Sequence, residues 1–419
     1  MMNKIPKGWE VKKLGEIFNI VRGGSPRPIK SYLTDDKNGI NWIKIGDIET
    51  GSKYITHTKQ KILASGLKKS RAVKAGDLLL TNSMSFGRPY ISKINGAVHD
   101  GWLIFEPKIQ ISKDYVFYFF SSSDTYSKLS NLAVGSTVKN LQINFLENFE
   151  IPLPPLSEQK AIADKLDDSF AKIENAITNL INAKENLKLY KQSVLKSAFN
   201  GDLLPSTSPT HWEVKKLGEI ISKEKYSMKR GPFGSALKKE FFVDNGIRVF
   251  EQYNPINSDP HWKRYFITKE KFKELEAFKA SAGDLLISCS GTLGKILELP
   301  KNTEIGIINQ ALLKIKLDQK QILNSFFIHY FNSNKFQNLI LEKTIGTAIK
   351  NIASVSELKQ LEIPLPNLTE QNLIVAEIDR RFAIVDKTLN LIDKSIQNAK
   401  NLKQSILKKA FSGELRSEI

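Results

Sequence analysis

The feature of this sequence that most constrains its fold is a long-range repeat. Motifs of four to nine residues occur twice, and the separation between the copies changes only from 203 to 212 residues along the chain. This period is far longer than the roughly 20–50 residues of solenoid repeats. The sequence therefore predicts one domain in two copies. The repeated segments are Trp-Glu-Val-Lys-Lys-Leu-Gly-Glu-Ile at 9–17 and 212–220, Ala-Gly-Asp-Leu-Leu at 75–79 and 282–286, and Ile-Pro-Leu-Pro at 151–154 and 363–366, followed each time by Glu-Gln at 158–159 and 370–371.

The charge balance favours a polyanionic ligand. The 419 residues include 62 Lys and Arg against 44 Asp and Glu, which gives a net charge of +18, and a hydrophobic content of 41% is enough for folded cores. Most of the excess lies in 1–157, with 22 basic and 13 acidic residues, and in 211–369, with 24 and 17. Such a chain favours nucleic acid, with an anionic membrane surface or a Lys-rich proteome as the alternatives.

The single cysteine, Cys289, excludes a disulfide framework and a thiolate zinc site. No apolar run has the length of a membrane span, and the first residues show no secretion signal. We therefore expect a cytoplasmic protein with no membrane partner.

Two long amphipathic helices are predicted. Apolar residues recur in steps of three and four from Ile162 to Ala198, and the pattern returns from Ile374 to Ala410 at an offset of 212. A stripe sustained over five to six heptads is typical of a coiled coil. Such a helix needs a partner, and the other copy is the nearest candidate.

The ends of both helices carry signals. Ser157 and Thr369 are the predicted N-caps, and Gly201 and Gly413 stand where left-handed C-cap residues belong. Each helix then has about 42 residues and a length of roughly 60 Å. Because the chain order is unit, helix, unit, helix, the second helix must return along the first. We expect an antiparallel coiled coil and a pseudo-twofold, near-circular arrangement.

The segments between the helices have mixed character, and we assign each unit to the α+β class. Short helices are predicted at 114–121 and 321–331. The loops between shared motifs differ, as in Gly23-Gly24-Ser25-Pro26 against 231–235 and in 82–87 against 289–294, which predicts different ligands for the two units. The predicted strands are 40–45, 77–81, 101–105, 284–288 and 311–315.

Motifs for catalysis are missing. The segment 291–296 has the Gly-Lys pair of a phosphate loop but neither its first Gly nor the Ser or Thr after the Lys. The five His residues lack metal-ligand spacing, and no Gly-rich loop for a nucleotide or S-adenosylmethionine stands out. The sequence favours a binding protein without enzymatic activity.

The ordered motifs resemble the specificity subunit of type I restriction–modification systems. The resemblance covers the whole chain, in tandem order. It differs in the first unit, where 82–87 lacks the Ser-Gly-Thr-x-Gly form of the second. The motifs that carry it are 9–16 with its copy, 23–26, Lys-Arg-Gly-Pro-Phe-Gly-Ser-Ala-Leu at 229–237, 282–286, Ser-Cys-Ser-Gly-Thr-Leu-Gly at 288–294, and 151–159 before the first long helix.

This resemblance implies a division of the chain and a set of partners. Target recognition domains are expected at 1–156 and 202–368, and conserved helical regions at 157–201 and 369–419. Each recognition domain would bind one half-site of a split, asymmetric double-stranded DNA target. The partners would be two modification (methyltransferase) subunits and ATP-dependent restriction subunits. This chain would hold no cofactor, whereas S-adenosylmethionine, ATP and Mg²⁺ would bind the partner subunits.

Candidate DNA contacts follow from side-chain chemistry. Lys and Arg bind phosphates and make affinity salt-dependent, whereas base recognition needs paired donors and acceptors in the major groove. Lys68, Lys69, Lys238 and Lys239 are predicted phosphate or solvent contacts. The predicted base contacts are Arg22, Lys44, Asn82, Ser85 and Arg88 in the first unit, and Lys229, Arg230, Gln252, Asn254, Arg264, Ser290 and Lys295 in the second.

Two other functions remain open from the sequence. One is a coiled-coil scaffold that joins two domains or mediates dimerisation without sequence-specific DNA contact. The other is a cryptic DNA methyltransferase or nuclease, for which S-adenosylmethionine binding by the isolated chain would be the discriminating observation.

Overall fold

A computed structural model describes residues 5–49, 51–82, 86–132, 140–205, 209–341 and 352–415. The chain divides into two compact units. Unit 1 contains Met1–Ile181 and Asp393–Ile419, and unit 2 contains Asn182–Ile392. In the described part of the chain, none of the helices has the apolar stretch needed to cross a lipid bilayer. Each of these units includes parts of both long helices. The division into two units therefore does not test the predicted division into four segments, which remains a prediction.

Unit 1 has an α+β fold, as predicted. Its strands are β1 (Glu10–Lys13), β2 (Phe18–Arg22), β3 (Leu33–Thr34), β4 (Ile40–Ile43), β5 (Tyr54–Ile55), β6 (Lys61–Ile62), β7 (Arg71–Val73), β8 (Leu78–Thr81), β9 (Pro89–Ser92), β10 (Gly96–Val98), β11 (Trp102–Pro107) and β12 (Glu150–Leu153). Its helices are α1 (Leu14–Ile17), α2 (Ala64–Leu67), α3 (Lys113–Ser121), α4 (Ser123–Leu132), α5 (Ile143–Glu147), the first part of α6 (Leu156–Asn200) and the last part of α13 (Leu368–Ser412). Two five-stranded sheets have the orders β3-β6-β4-β10-β7 and β2-β11-β8-β9-β5.

Unit 2 repeats this plan with four strands in each sheet. Its strands are β13 (Glu213–Lys216), β14 (Met228–Arg230), β15 (Ile247–Phe250), β16 (Tyr265–Ile267), β17 (Lys279–Ala280), β18 (Leu285–Ser288), β19 (Ile296–Glu298), β20 (Gly306–Ile308), β21 (Leu312–Ile315) and β22 (Glu362–Leu365). Its helices are α7 (Leu217–Ile220), α8 (Tyr253–Ile256), α9 (Lys269–Glu274), α10 (Asn324–Phe331), α11 (Asn334–Leu341), α12 (Val355–Lys359), the first part of α13 and the last part of α6. The sheets have the orders β14-β21-β18-β19 and β16-β15-β20-β17.

The repeated motifs pair with each other inside each unit. In unit 1, β1 from the Trp-Glu-Val-Lys-Lys motif is antiparallel to β12 from the Ile-Pro-Leu-Pro motif, with Glu10 opposite Leu153. In unit 2, β13 and β22 have the same register, with Glu213 opposite Leu365. These ladders join the beginning of each domain to the strand that precedes its long helix. The most similar parts of the two copies therefore form a shared frame.

Both long helices are present, and each has 45 residues. The predicted C-caps are confirmed, because Gly201 and Gly413 have φ of 79° and 81°, in the left-handed region. The predicted N-caps are wrong, since the helices begin before Ser157 and Thr369. In the second copy the cap is Asn367, whose Oδ1 accepts a hydrogen bond from the Glu370 backbone N–H at 3.0 Å.

A buried glutamine fixes the start of each long helix to its own domain. The Gln159 side chain accepts from the Ser112 backbone N–H at 3.0 Å and donates to the Pro154 carbonyl at 2.9 Å. Gln371 makes the same pair of bonds, with Leu323 at 2.9 Å and Pro366 at 2.8 Å. The Glu-Gln motif after the prolines therefore connects the helix to the segment before α3 or α10.

The C-terminal part of each long helix contacts the domain that precedes the other long helix. In unit 1, Gln404 of α13 accepts from the Ser123 backbone N–H at 2.8 Å. In unit 2, Gln192 of α6 accepts from the Asn334 backbone N–H at 3.0 Å. Each unit thus combines one domain, the beginning of one long helix and the end of the other.

Candidate nucleic-acid interface

The sheet topology brings several strand ends together in unit 1. Strands β2 and β8 are both antiparallel to β11, so they end at the same edge, where Arg22 lies opposite Leu103 and Thr81 opposite Trp102. Strand β4 ends next to β10, with which it pairs in parallel, and β10 leads to β11 through the three residues 99–101. We call this edge of unit 1, formed by the ends of β2, β4, β8 and β10, the strand-end edge.

Unit 2 has the same edge, formed by the ends of β14, β15, β18 and β20. Strands β14 and β18 are both antiparallel to β21, with Arg230 opposite Leu313 and Ser288 opposite Leu312. Strand β15 is parallel to β20, with Phe250 opposite Ile308. The register therefore aligns Arg22 with Arg230.

A glycine follows the aligned arginine in both units because two backbone segments come very close there. A Cβ atom on Gly23 would lie 2.1 Å from the His99 carbonyl oxygen, and one on Gly231 would lie 1.8 Å from that of Asn309. Both distances are impossible for a side chain. The glycines predicted as loop residues are thus needed to hold the first loop against the β10–β11 or β20–β21 connection.

The second loop of the edge closes in the same way in both units. Gly87 donates its backbone N–H to the Thr81 carbonyl at 2.7 Å, and Gly294 donates to the Ser288 carbonyl at 3.0 Å. The next residues, Arg88 and Lys295, donate their backbone N–H groups to the Thr81 and Ser288 hydroxyls, both at 2.9 Å. Both basic side chains are exposed. Arg88 and Lys295, which were predicted as separate contacts, therefore occupy equivalent positions in the two units.

In unit 1 the edge borders an open cavity of about 890 Å³, which Ser25, Arg27, Trp42, Lys44 and His99 help to line. Asp100 organises this region. It accepts from the Ser25 hydroxyl at 2.8 Å, and its backbone carbonyl accepts from Arg22 Nε at 2.9 Å.

Protonation states at this cavity follow from the same contacts. The Ser25 hydrogen bond lowers the pKa of Asp100, whereas burial lowers the pKa of His99. The edge therefore has an ionised carboxylate, a neutral imidazole and the cations Arg22, Arg27 and Lys44.

Lys68 and Lys69 lie at the same edge of unit 1, and both are exposed. Strand β7 is antiparallel to β10 with Arg71 opposite Val98, which puts Lys69 close to the end of β10. Lys69 Nζ donates to the Tyr32 hydroxyl at 2.9 Å. Their exposure suits contacts to phosphates.

In unit 2 the end of β15 carries Glu251 and Gln252. Strand β16 is antiparallel to β15 with Tyr265 opposite Val249, so the exposed Arg264 is opposite the end of β15. The Arg264 guanidinium lies 4.7 Å from the Tyr265 ring centroid. This part of the edge combines a cation with two hydrogen-bond acceptors.

Two predicted base contacts are buried. Asn82 is fully buried, and its Oδ1 accepts from the Leu141 backbone N–H at 3.0 Å. Asn254 is also fully buried, and its amide donates to the carbonyls of Asp259 at 2.9 Å and Trp262 at 3.0 Å. Both amides therefore hold loops in place, which contradicts the prediction that they are presented to bases. Ser85 lies outside the described residues.

The other predicted contacts lie at or near the edge of unit 2. Lys229 and Arg230 are half-buried, with Arg230 5.3 Å from the Phe233 ring centroid. Lys238 is exposed and pairs with Glu240 at 3.5 Å. Ser290 is half-buried beside Cys289. Burial raises the pKa of the Cys289 thiol to about 12, which leaves it un-ionised and a poor nucleophile.

Glu251 and Arg27 belong to the edge but were missed at the level of sequence. Neither lies in a repeated motif, so no pattern distinguished them from other surface residues. An alignment of the two copies that places Lys44 opposite Glu251 would have shown that this position carries opposite charges in the two units. That alignment requires the strand register, which the sequence alone does not give. Among the described residues, no cluster of three or more His, Cys, Asp or Glu could hold a metal ion.

Comparisons with known proteins agree with this architecture. The family of type I restriction modification DNA specificity domains matches residues 6–183 and 209–399. The chain is 25% identical to the specificity subunit of the type I restriction enzyme StySPI of Salmonella potsdam and 26% identical to that of EcoKI of Escherichia coli K12, each alignment covering 99% of this chain and 91% of the relative.

Solved structures show the same fold. The HsdS subunit from Thermoanaerobacter tengcongensis aligns over 98% of both chains with a TM-score of 0.58 and 20% identity. A chain from a structure of type I R-M system assembly and conformational transition aligns over 97% of this chain and 98% of its own length, with a TM-score of 0.74 and 19% identity.

Because the family match extends over most of both copies, the class of the protein is shown. The chain belongs to the type I restriction modification DNA specificity domain family. Both copies carry the domain, as the resemblance predicted.

Proposed function

We propose that this chain gives a type I restriction–modification complex its DNA sequence specificity, with each unit binding one half-site of a split target. The observation that carries the proposal is the pair of strand-end edges. They share a backbone frame, and they place Arg22 and Arg88 in one unit at the positions of Arg230 and Lys295 in the other. Equivalent frames with different side chains suit two different half-sites.

The chain would act without catalysis of its own. Modification subunits with S-adenosylmethionine, and restriction subunits with ATP and Mg²⁺, would supply the chemistry. The StySPI and EcoKI relatives are specificity subunits of restriction enzymes, which supports assembly with such partners. The place of action would be the cytoplasm.

Phosphate contacts would provide affinity, and the loops of each edge would enter the major groove. Exposed cations such as Lys68, Lys69 and Lys295 suit phosphates. Side chains fixed by neighbouring contacts, such as Arg22 and Arg230, suit bases, since bidentate Arg contacts to guanine are the commonest specific ones.

The direct test is a methylation map. The chain is co-expressed with its modification subunit in a host that lacks other methylation, and methylated positions are mapped across the genome. We expect one motif with two specified parts and an unspecified gap of constant length. The modification subunit alone is the control and should leave no such motif. Methylation without a split motif, or a motif that does not depend on this chain, would contradict the proposal.

The two long helices are proposed to set the gap between the half-sites. Inserting four residues at equivalent positions of α6 and α13 lengthens each by about 6 Å, which corresponds to one to two base pairs at about 3.4 Å each. The methylated motif should then have a gap longer by that amount. An active variant with an unchanged gap would rule out this role.

A further inference from the structure

Lys44 and Glu251 occupy the same position in the two units. Strand β4 pairs in parallel with β10 so that Ile43 is opposite Val98, and β15 pairs in parallel with β20 so that Phe250 is opposite Ile308. The next residue along the chain is Lys44 in unit 1 and Glu251 in unit 2. One frame position therefore carries a hydrogen-bond donor in one unit and an acceptor in the other.

The surroundings of Glu251 indicate an acceptor that lacks a donor. The side chain is half-buried, and its Oε2 is out of contact with solvent and has no hydrogen-bond partner among the described residues. The neighbouring Gln252 also has a buried Oε1 without a partner. Unpaired buried acceptors cost free energy, so rotation of the carboxylate toward an external donor would relieve that cost.

The backbone at this position is held by hydrogen bonds, whereas Glu251 Oε2 has no hydrogen-bond partner among the described residues. The Glu251 backbone N–H donates to Asn254 Oδ1 at 2.9 Å, and the Asn254 amide is bonded in turn to the carbonyls of Asp259 and Trp262. The rings of Tyr253 and Trp262, which belong to the same loop region, are stacked with their centroids 4.3 Å apart. Asn254 is thus a positioning residue for Glu251.

The charges around Glu251 also suit a base pair. Burial raises the pKa of Glu251 and the nearby Arg264 opposes the shift. Arg264 is in register with the end of β15. A carboxylate accepts from the N4 amino group of cytosine, and an arginine donates to O6 and N7 of guanine.

We propose that Glu251 is a specificity-determining residue of unit 2 that accepts a hydrogen bond from a cytosine N4 amino group in the major groove. This inference rests on the proposed function. At the same position of unit 1, Lys44 donates to an acceptor on a base edge. The opposite chemistry at one frame position makes the two half-sites differ there.

The test compares Glu251→Gln with the wild-type chain in the assembled modification complex, using both the methylation map and binding to duplexes with each half-site base pair changed in turn. We expect a G·C pair of one half-site to become degenerate, with preference over the next best pair reduced by about tenfold. The other half-site stays unchanged and serves as an internal control. Glu274→Gln, which removes an exposed carboxylate of the same unit, should leave both half-sites unchanged.

Stability separates recognition from a structural role. Glu251→Gln removes a half-buried charge whose Oε2 has no hydrogen-bond partner among the described residues, so it should not lower the melting temperature of the complex. If it does and methylation is lost, Glu251→Asp keeps the charge while shifting its position, and we expect the same degenerate G·C pair. An unchanged motif in the folded variants, or degeneracy at an A·T pair, overturns the cytosine assignment. A wild-type chain that produces no split motif would instead refute the proposed function.

Discussion

At the scale of residues, the two copies keep bonding roles while changing side chains. Thr81 and Ser288 both accept from the backbone N–H of the cation that follows the loop. Asn82 and Cys289 are both fully buried after their strand, with their backbone N–H groups bonded to Gly101 at 2.7 Å and Ala311 at 2.8 Å. The frame is therefore defined by backbone bonds and small residues, which leaves neighbouring positions free to vary.

The close approach at Gly231 gives a stability prediction. Gly231→Ala places a Cβ atom 1.8 Å from the Asn309 carbonyl oxygen, so the loop or the β20–β21 connection must move. We expect destabilisation by about 1–3 kcal/mol or more, measured by denaturant unfolding. Gly46→Ala is the control, because no atom lies within 4 Å of its added Cβ. Equal effects of the two substitutions would show that the approach at Gly231 is not restrictive.

Lys68 and Lys69 give a salt-dependence prediction. If both contact phosphates, the Lys68→Ala/Lys69→Ala variant should bind all duplexes more weakly by a similar factor. It should also reduce the slope of log K against log salt by about 2. Lys172→Ala is the control, since Lys172 is 75% exposed on α6 and pairs with Asp168. A changed recognition motif instead of a changed slope would assign the lysines to base contacts.

His329 gives a prediction for pH. Burial lowers its pKa, and Asp379, at 2.9 Å, partly opposes this. The unfolded chain takes up a proton near pH 6.5, whereas folded His329 stays neutral to lower pH, so the folded protein loses stability as the pH falls below about 6.5. His329→Tyr mimics Tyr118, which bonds Asp167 in unit 1.

This variant should reduce the drop in the urea midpoint between pH 7.5 and pH 5.5. The exposed His57 provides the control substitution, His57→Tyr. An unchanged drop in His329→Tyr would assign the pH dependence to other groups, such as His99.

At the scale of elements, the long helices are held mainly by apolar packing. Ile162 and Ile374 are almost fully buried in the cores of their units. Lys403 lies 4.7 Å from the Phe170 ring centroid and pairs with Glu174 in unit 1, and Lys191 lies 4.7 Å from that of Phe382 in unit 2. Lys191 Nζ also pairs with Asp386 Oδ1 at 2.5 Å. Exposed ion pairs of this kind contribute little.

The two kinds of contact therefore predict different losses of stability. Ile374→Ala removes a fully buried side chain and should cost about 2–5 kcal/mol in the free energy of unfolding. Asp386→Ala should cost no more than about 1 kcal/mol. Denaturant unfolding of both variants measures this, and a larger loss for Asp386→Ala would contradict an apolar origin of helix stability.

The sequence predicted the elements better than it predicted the interface. The spacing of apolar residues and the glycines at the helix ends were sufficient to predict α6 and α13, because a long apolar stripe and a left-handed glycine are local features. The N-caps were wrong because both helices begin one residue before Ser157 and Thr369, and in the second copy Asn367, an equally good capping residue, takes the place predicted for Thr369. Asn82 and Asn254 were misplaced because polarity alone does not show that an amide bonds to buried backbone groups. Only the register of β4 and β15 aligned Lys44 with Glu251.

At the scale of the whole molecule, the repeat provides a structural basis for the proposed binding of two half-sites. Each unit takes the start of one long helix and the end of the other, with matching glutamine contacts at Gln159 and Gln371. The frame ladders of both units have the same register. We therefore expect the domain between the ladders to be an exchangeable part whose loops define the recognised bases.

The most direct measurement is the methylation map of a chain in which the unit 2 segment 217–361 is replaced by the unit 1 segment 14–149. The ladders β13 and β22 that flank the exchanged segment remain. We predict a symmetric motif in which the first half-site occurs twice in opposite orientation, with the gap preserved. A folded, active variant that still methylates the original second half-site would show that the exchanged domain does not define specificity.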